Sequence, residues 1–225
     1  MRKKKNLIPR MDKCRHLLAE APAEHKGSWR DLLRPGCQLR LELGCGKGRF
    51  TVASAEAEPG VLFIAVEKVA DAMIIAMERA KEAGLENVRF IHGDVSLLPE
   101  IFAPGEVDLI YINFCDPWPS SRHIRRRLTS EGFLQSYRKV LRPGGSLRFK
   151  TDNRPLFEFS LSQLPKNGFA LADVSYHLHE KGPAEIMTDY EAKFYEQGLP
   201  ICRCSAVMEP MPPDPGRTEL SSPGL

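Results

Sequence analysis

Short apolar runs alternate with segments of helical spacing along the chain from residue 39 onward. The apolar runs predict strands at residues 39–43, 62–67, 88–92, 107–114 and 146–151. The spacing of apolar residues between them predicts helices at residues 49–57, 69–83 and 130–140. Alternating strands and helices are typical of a parallel sheet with helices on both faces, and a continuous apolar run fits a central strand of such a sheet. We therefore predict an α/β fold with a doubly wound, mainly parallel sheet.

The pattern is less regular after residue 151. Residues 156–164 have helical spacing, whereas residues 170–177 and 201–207 have the composition of strands. We expect one further helix and two further strands in this part of the chain.

The composition fits one domain, because 225 residues with 42% hydrophobic residues are enough for one sizeable core. No apolar stretch reaches the length of a transmembrane helix, and the first residues, MRKKK, lack the apolar segment of a secretory signal. We therefore expect a cytoplasmic protein without a membrane partner. The six cysteines include one C-x-C pair and no C-x-x-C pair, which predicts reduced thiols and no metal site.

A glycine-rich segment, LELGCGKG, follows the first predicted strand and opens the first predicted helix. Gly44 and Gly46 would let a ligand approach the backbone closely, and the start of the helix offers free N–H groups. Position 49 is Arg, so the dinucleotide pattern G-x-G-x-x-G is incomplete. The segment therefore disfavours an NAD enzyme.

Three acids stand at or near the ends of successive predicted strands: Glu42, Glu67 and Asp94. S-adenosylmethionine (SAM) carries an ammonium group, a ribose diol and an adenine amine, so an acid-rich crevice suits it better than it suits a pyrophosphate. Glu67 stands where an acid binds ribose hydroxyls in doubly wound folds, and Asp94 could accept from the adenine amine. A helix cap or a solvated loop residue is the alternative for each acid alone. Together, in this order, they favour a SAM site.

The fourth predicted strand ends in the segment FCDPWPSSRHIRRRL, residues 114–128. Its prolines exclude a helix, so a stiff loop should hold the Asp116 carboxylate and the Trp118 ring together at the rim of the sheet. A structural Asp-Pro turn with a core tryptophan is the alternative. An acid, an indole and four arginines at the end of a buried strand suggest chemistry on a nucleic-acid base.

The basic residues are concentrated in two segments, although the net charge is only +3. Residues 1–15 carry seven Lys or Arg against Asp12, and residues 115–142 carry seven against Asp116 and Glu131. Such clusters favour a polyanion held by phosphate contacts, with solvated surface charge as the alternative for the N-terminal segment. Four arginines beside Trp118 are the expected nucleic-acid contacts: Arg122, Arg125, Arg126 and Arg127.

These features together resemble the tRNA (guanine-N7-)-methyltransferases, a family with the class I SAM-dependent fold. The resemblance covers residues 39–207, and three segments carry it: NFCDPWP at 113–119, RHIRRRLT at 122–129 and TDYEAKF at 188–194. It implies a Rossmann-like fold with a seven-stranded sheet. It also implies transfer of a methyl group from SAM to N7 of a guanine in tRNA, at position 46 of the variable loop, by a monomer or a homodimer.

The expected domain organisation follows from this resemblance. A methyltransferase domain would occupy residues 37–208, between a basic N-terminal extension at 1–36 and a disordered tail at 209–225, which is rich in Pro, Ser and Gly.

The resemblance also implies roles for individual residues. Contacts to the cofactor would come from Glu42, Gly44, Gly46, Glu67, Asp94 and Asp116. Asp116 would also lie at the catalytic centre. The target nucleotide would be held by Asp152, Thr188, Asp189, Tyr190 and Glu191.

One segment departs from the family pattern. Family members commonly carry lysines after the DPWP segment, whereas this chain has Ser120 and Ser121, and the loss of two positive charges should weaken RNA affinity. Two alternatives therefore stay open. One is SAM-dependent methylation of an exocyclic amine, since D/N-P-P-W/Y loops serve that chemistry in other methyltransferases. The other is an RNA-binding homologue that has lost turnover.

Overall fold

Seven strands form one sheet at the centre of the protein. A computed structural model describes residues 6–180, 182–183 and 186–210. The strands are β1 Gln38–Leu43, β2 Val61–Glu67, β3 Val88–His92, β4 Val107–Asn113, β5 Leu141–Thr151, β6 Phe169–Ser175 and β7 Cys202–Met208. Their order in the sheet is β3-β2-β1-β4-β5-β7-β6. Within the described residues, β7 runs opposite to the other six strands, so the predicted mainly parallel, seven-stranded α/β fold is confirmed.

Helices connect the strands and cover the sheet. They are α1 Leu7–Lys13, α2 Arg49–Ala57, α3 Ala70–Glu82, α4 Leu98–Ile101, α5 Glu131–Val140, α6 Arg154–Lys166 and α7 Asp189–Glu196. Each predicted strand and helix has a counterpart, with ends that differ by a few residues. The helices that the pattern missed, α1, α4 and α7, are all short, and short helices show little periodicity.

The strand predicted at residues 146–151 starts earlier than the sequence pattern indicates, before the segment RPGG at residues 142–145. The strand already begins at Leu141, which pairs with Val107, and the next pair is Leu109 with Ser146. The residues between Leu141 and Ser146 therefore bulge out of the ladder, with Gly144 at a φ of 70°.

Buried side chains form two layers, one on each face of the sheet. Leu41 and Ile110 belong to the layer that includes residues of α5 and α6. Phe63 and Met73 belong to the opposite layer, which includes residues of α2 and α3. All seven residues of β2 are buried, and covering on both faces explains why the strands read as continuous apolar runs.

The described part of the N-terminal extension packs onto the domain. Trp29 is fully buried in the core, and its Nε1 donates to the carbonyl oxygen of Ile101 at 3.1 Å. Arg10 in α1 binds both carboxylate oxygens of Glu78 in α3, at 2.6 and 2.5 Å. Residues 1–5, and the predicted tail from residue 211 onward, lie outside the described residues.

The glycine-rich loop between β1 and α2 packs directly on α3. Gly44, Gly46 and Gly48 have φ angles of 81°, 56° and 77°, the left-handed region that favours glycine. A Cβ atom on Gly48 would overlap the Cβ and Cα of Ala76 in α3. Gly48 therefore allows the loop and α3 to approach without a gap.

We expect Gly48→Ala to lower the free energy of unfolding by about 3 kcal/mol, measured by urea denaturation. The left-handed backbone costs about 1–2 kcal/mol with a Cβ, and crowding of a packed core adds about 1–3 kcal/mol. Gly84→Ala is the matched control, because Gly84 has a φ of 65° but no atom within 4 Å of an added Cβ. Equal losses in the two variants would show that the loop and α3 separate without cost.

Candidate active site

A cleft of about 1090 Å³ opens at the carboxyl ends of the parallel strands. The strand order reverses at β1, which lies between β2 and β4. Ligands of doubly wound sheets bind in the crevice at such a switch point. The glycine loop, the ends of β2 and β3 and the loop after β4 line it, through residues that include Gly44, Lys47, Glu67, Asp94, Phe114, Asp116, Trp118, Arg125 and Arg126.

Glu67 closes β2 with its carboxylate on the wall of the cleft. Its Oε2 accepts from the Gly46 N–H and its Oε1 accepts from the Val69 N–H, both at 2.8 Å. The carboxylate therefore joins the glycine loop to the start of α3. A carboxylate has about four acceptor sites, so two stay available to the hydroxyls of a ribose.

Asp94 follows β3 and also lines the cleft. Its Oδ1 accepts from the Ser96 N–H at 2.9 Å, and its Oδ2 lies 3.0 Å from the Lys68 Nζ. The hydrogen bond from the Ser96 backbone, together with the Lys68 ammonium, lowers the pKa of Asp94 to about 2. The side chain is therefore an ionised acceptor at neutral pH.

Glu42 lies beneath the cleft rather than on its wall. Its side chain is only 3% exposed, and it accepts hydrogen bonds from the Thr51 hydroxyl and, at 2.9 Å, from the Asn113 Nδ2. Burial raises the pKa of Glu42 to about 7, although both hydrogen bonds oppose this shift. Glu42 thus joins β1 to α2 and to the last residue of β4. The direct contact between Glu42 and the cofactor that the resemblance implies stays a prediction, and the bonds to Thr51 and Asn113 give Glu42 a supporting position as well.

The loop after β4 holds Asp116 and Trp118 on the same cleft. Phe114 and Trp118 have φ angles of 53° and 41°, which are strained for residues other than glycine. The Asp116 carboxylate is exposed and makes no hydrogen bond or ion pair with the described residues, so it is open to a ligand. Burial raises the pKa of Cys115 to about 12, so its thiol stays protonated and is a poor nucleophile.

The four arginines of the loop differ in their surroundings. The Arg127 Nε donates to the carbonyl oxygens of Pro117 and Trp118, at 3.0 and 3.3 Å, and its guanidinium stacks on the Phe159 ring. The Arg126 guanidinium lies 4.8 Å from the centre of the Trp118 ring. Arg122, Arg125 and Arg126 are exposed. Arg127 therefore holds the loop together, a role that the sequence analysis missed.

The motif at residues 188–191 forms the start of α7. The Thr188 Oγ1 accepts from the Glu191 N–H at 2.9 Å, and the Glu191 Oε2 accepts from the Thr188 N–H at 3.3 Å, which is a capping box. Glu191 is fully buried, and its Oε1 lies 3.2 Å from the Lys150 Nζ and 3.0 Å from the His179 Nε2. The pattern T-x-x-E is a sequence signal for this cap and could have identified α7.

The remaining predicted substrate residues are not among those that line the cleft. Asp189 forms an ion pair with Arg79 of α3 at 2.7 Å. Tyr190 is 51% exposed, and its ring centre lies 5.5 Å from that of Phe114, which lines the cleft. Asp152 directly follows β5 and is partly exposed. The structure thus brings Glu67, Asp94 and Asp116 onto one cleft and places α7 beside it.

Among the residues that the structure describes, no group of three or more His, Cys, Asp or Glu side chains could hold a metal ion. Within the same ranges, no helix is both long enough and apolar enough to cross a membrane.

The strand order and the cleft at the switch point are those of a Rossmann-like fold. A family model described as a putative methyltransferase matches residues 37–204, so this chain is a methyltransferase with that fold. The crystal structure of the 16S rRNA methyltransferase KamB is similar with a TM-score of 0.63 at 19% sequence identity, and the match covers 82% of this chain and 94% of KamB. At that identity the likeness shows the fold alone.

Curated relatives define the family more closely. The tRNA (guanine-N(7)-)-methyltransferase of Lactococcus lactis subsp. cremoris (strain SK11) is 43% identical over 198 residues, which are 87% of this chain and 91% of that protein. The protein of the same name from Halalkalibacterium halodurans is 44% identical over 84% of this chain and 87% of its own length. This chain belongs to the tRNA (guanine-N7-)-methyltransferase family.

We expect Glu42→Gln to change how the free energy of unfolding depends on pH. The Glu42 pKa is raised from 4.5 to about 7 in the folded protein, so its stabilising contribution is full below pH 4.5 and is lost as the pH rises to about 7. That loss is about 3 kcal/mol. A glutamine amide can still bond to Asn113 and Thr51 but does not ionise, so the variant should lack this loss.

Urea denaturation at pH 5 and pH 8 measures the effect. Glu20→Gln is the control, because Glu20 is an exposed partner of Arg15 and its variant should keep the pH dependence of the wild type. If Glu42→Gln also kept that dependence, Glu42 would not be the group that titrates near pH 7.

Proposed function

We propose that this protein transfers the methyl group of SAM to N7 of guanine in tRNA, at position 46 of the variable loop. The observation that carries the proposal is that one cleft holds both the acids Glu67 and Asp94 and the open carboxylate of Asp116. Membership of the family supports the choice of substrate, because the relatives are named for this reaction. A tRNA substrate also favours a cytoplasmic location.

The residues of the cleft fit the chemical groups of SAM. The Glu67 carboxylate would accept from the ribose hydroxyls, and Asp94 would accept from the adenine amine. Gly44 and Gly46 leave open space on the loop, since nothing lies within 4 Å of an added Cβ at either position. When bound there, SAM would supply a methyl group that is already activated by its sulfonium.

The reaction then needs no strong general base. Guanine N7 presents a lone pair and need not lose a proton before it attacks the methyl carbon. The protein would instead align the reacting atoms and exclude water, effects worth up to about 7–11 kcal/mol in favourable systems. Asp116 would accept hydrogen bonds from the N1–H and amino group of guanine, which adenine cannot reproduce.

A second carboxylate for this edge is better supplied by Asp152 than by Glu191. Glu191 is fully buried and already serves Lys150, His179 and the α7 cap. Asp152 is partly exposed at the end of the strand next to β4.

Methylation of an exocyclic amine remains the second candidate function. Analysis of the methylated nucleoside separates the two reactions, because one yields 7-methylguanine and the other an N-methylated amine.

The proposed catalytic unit spans residues 37–208, and RNA would reach it along the arginines of the cleft rim. Arg125 and Arg126 line the cleft, and Arg122 is exposed beside them. Arg127 contributes indirectly, because its hydrogen bonds fix the backbone of Pro117 and Trp118.

We expect Asp116→Asn to abolish methyl transfer, because the amide keeps one acceptor oxygen but turns a donor toward the second N–H of the guanine edge. The assay uses labelled SAM and unmodified tRNA, with the product identified after digestion. Asp12→Asn is the control, since Asp12 is exposed on α1. Retention of more than about a tenth of the wild-type rate, a loss below about 1.4 kcal/mol, would remove Asp116 from the catalytic role.

We expect Arg125→Ala and Arg126→Ala to weaken tRNA binding mainly at low salt, with at least one of the two behaving in this way. Each phosphate contact contributes about 0.7–0.9 to the slope of log affinity against log salt concentration, so its loss should flatten the slope. Guanine specificity and SAM affinity should stay close to those of the wild type, because phosphate contacts do not read the base.

Filter binding at several salt concentrations measures the slope. Arg15→Ala is the comparison, because Arg15 is exposed and belongs to the other basic segment, residues 1–15. If both loop variants bound tRNA as the wild type does and Arg15→Ala did not, the N-terminal segment would be the better candidate for the RNA contact.

A further inference from the structure

Helix α7 is attached to the rest of the domain at three separate points. Its first residue, Asp189, pairs with Arg79 of α3. Its second residue, Tyr190, packs its ring on Phe114 of the cleft. The buried carboxylate of Glu191 binds Lys150 near the end of β5. Two of these attachments use charged pairs, and each reaches a different element of the active-site region.

The Arg79 side chain contacts the glycine loop as well as Asp189. The Arg79 Nη1 donates to the Asp189 Oδ2 at 2.7 Å and to the backbone carbonyl oxygen of Lys47 at 3.0 Å, and its Nη2 donates to the Asp189 Oδ1 at 3.4 Å. Lys47 belongs to the glycine loop and, like Gly44, lines the cleft. One guanidinium therefore connects α3, the glycine loop and the start of α7.

The glycine loop and α3 are already held together on their other sides. Gly48 packs against Ala76, one helical turn before Arg79. Glu67 bonds to both the Gly46 N–H and the Val69 N–H. Arg79 consequently fixes α7 to a rigid unit, and that unit carries the proposed cofactor site.

We propose that Arg79 is a positioning residue for the methyl transfer, and that Asp189 serves the reaction through Arg79 and not by contacting the target base. The proposal rests on the proposed function. The pair sets the distance between the cofactor loop and α7, whose Tyr190 packs on Phe114 at the wall of the cleft. Both oxygens of Asp189 face the Arg79 guanidinium, which leaves the open carboxylates Asp116 and Asp152 to read guanine.

The test compares Arg79→Gln, Asp189→Asn and the double variant with the wild type. Each single variant should lower kcat for tRNA methylation by about tenfold or more, since a small displacement of bound groups has effects of this size. Asp189→Asn should change the Kd for SAM less than about twofold, because the Arg79 bond to the Lys47 carbonyl is kept. The double variant should be no worse than Arg79→Gln alone, because Asp189 acts only through the Arg79 guanidinium. Arg79→Lys, which keeps one charged donor, should restore part of kcat.

A direct contact between Asp189 and the base would give a different pattern. Asp189→Asn would then lose activity while Arg79→Gln stayed near the wild type, and the losses would multiply in the double variant. Either result overturns the proposal.

The control is Glu78→Gln, which breaks the neighbouring pair of Arg10 with Glu78 from the same helix α3. The side chains of that pair are 28% and 33% exposed, close to the 37% and 38% of Arg79 and Asp189, but the pair faces α1 instead of α7. The control variant should keep the wild-type kcat. If its kcat fell as much as that of the Arg79 variants, any ion pair on α3 would have this effect, and the proposal would be overturned. If the wild type methylates tRNA and the Arg79 variants keep its kcat, the positioning role is refuted but the proposed function is not. If the wild type forms no 7-methylguanine, both the proposed function and the positioning role are refuted.

Discussion

The active-site region depends on one buried carboxylate. Burying an ionisable group is costly unless its polar atoms are paired, and Glu42 meets this condition through Thr51 and Asn113. Thr51 lies in α2, directly after the glycine loop, and Asn113 is the residue from which the Asp116 loop departs. The glycine loop and the Asp116 loop therefore share an anchor in the sheet. An uncompensated change at Glu42 would affect both loops, although Glu42 is not among the residues that line the cleft.

The arrangement of the sheet could be predicted because burial on both faces leaves a clear trace in the sequence. All seven residues of β2 are buried, and the first six, residues 61–66, form an unbroken apolar run. The start of β5 could not be predicted, since Pro143 and Gly144 have the composition of a turn. What makes the segment a bulge is the pairing of Leu141 with Val107 across the sheet, which is a tertiary contact.

The position of the site was predictable for a related reason. The carboxyl ends of parallel strands meet at one edge, so acids at or near those ends converge whatever their individual roles. The sequence could not say which of them face the ligand. Glu42 points into the core, Glu191 caps a helix and binds Lys150, and Arg127 holds its own loop, while Glu67 and Asp94 lie on the cleft. These differences come from side-chain contacts between segments that are distant in the sequence. The family resemblance identifies a functional segment, but it does not show which residue of that segment lines the cleft and which one supports the fold.

The two tryptophans of this chain occupy opposite environments, and this has an optical consequence. Trp29 is fully buried in the core behind α4, hydrogen-bonded to Ile101 and packed near Phe102. Trp118 lines the cleft with the Arg126 guanidinium over its ring. A ligand that enters the cleft changes the surroundings of one indole and leaves the other as a constant background. Native fluorescence can therefore report occupancy of the cleft in the unlabelled protein, with Trp29 as its internal reference.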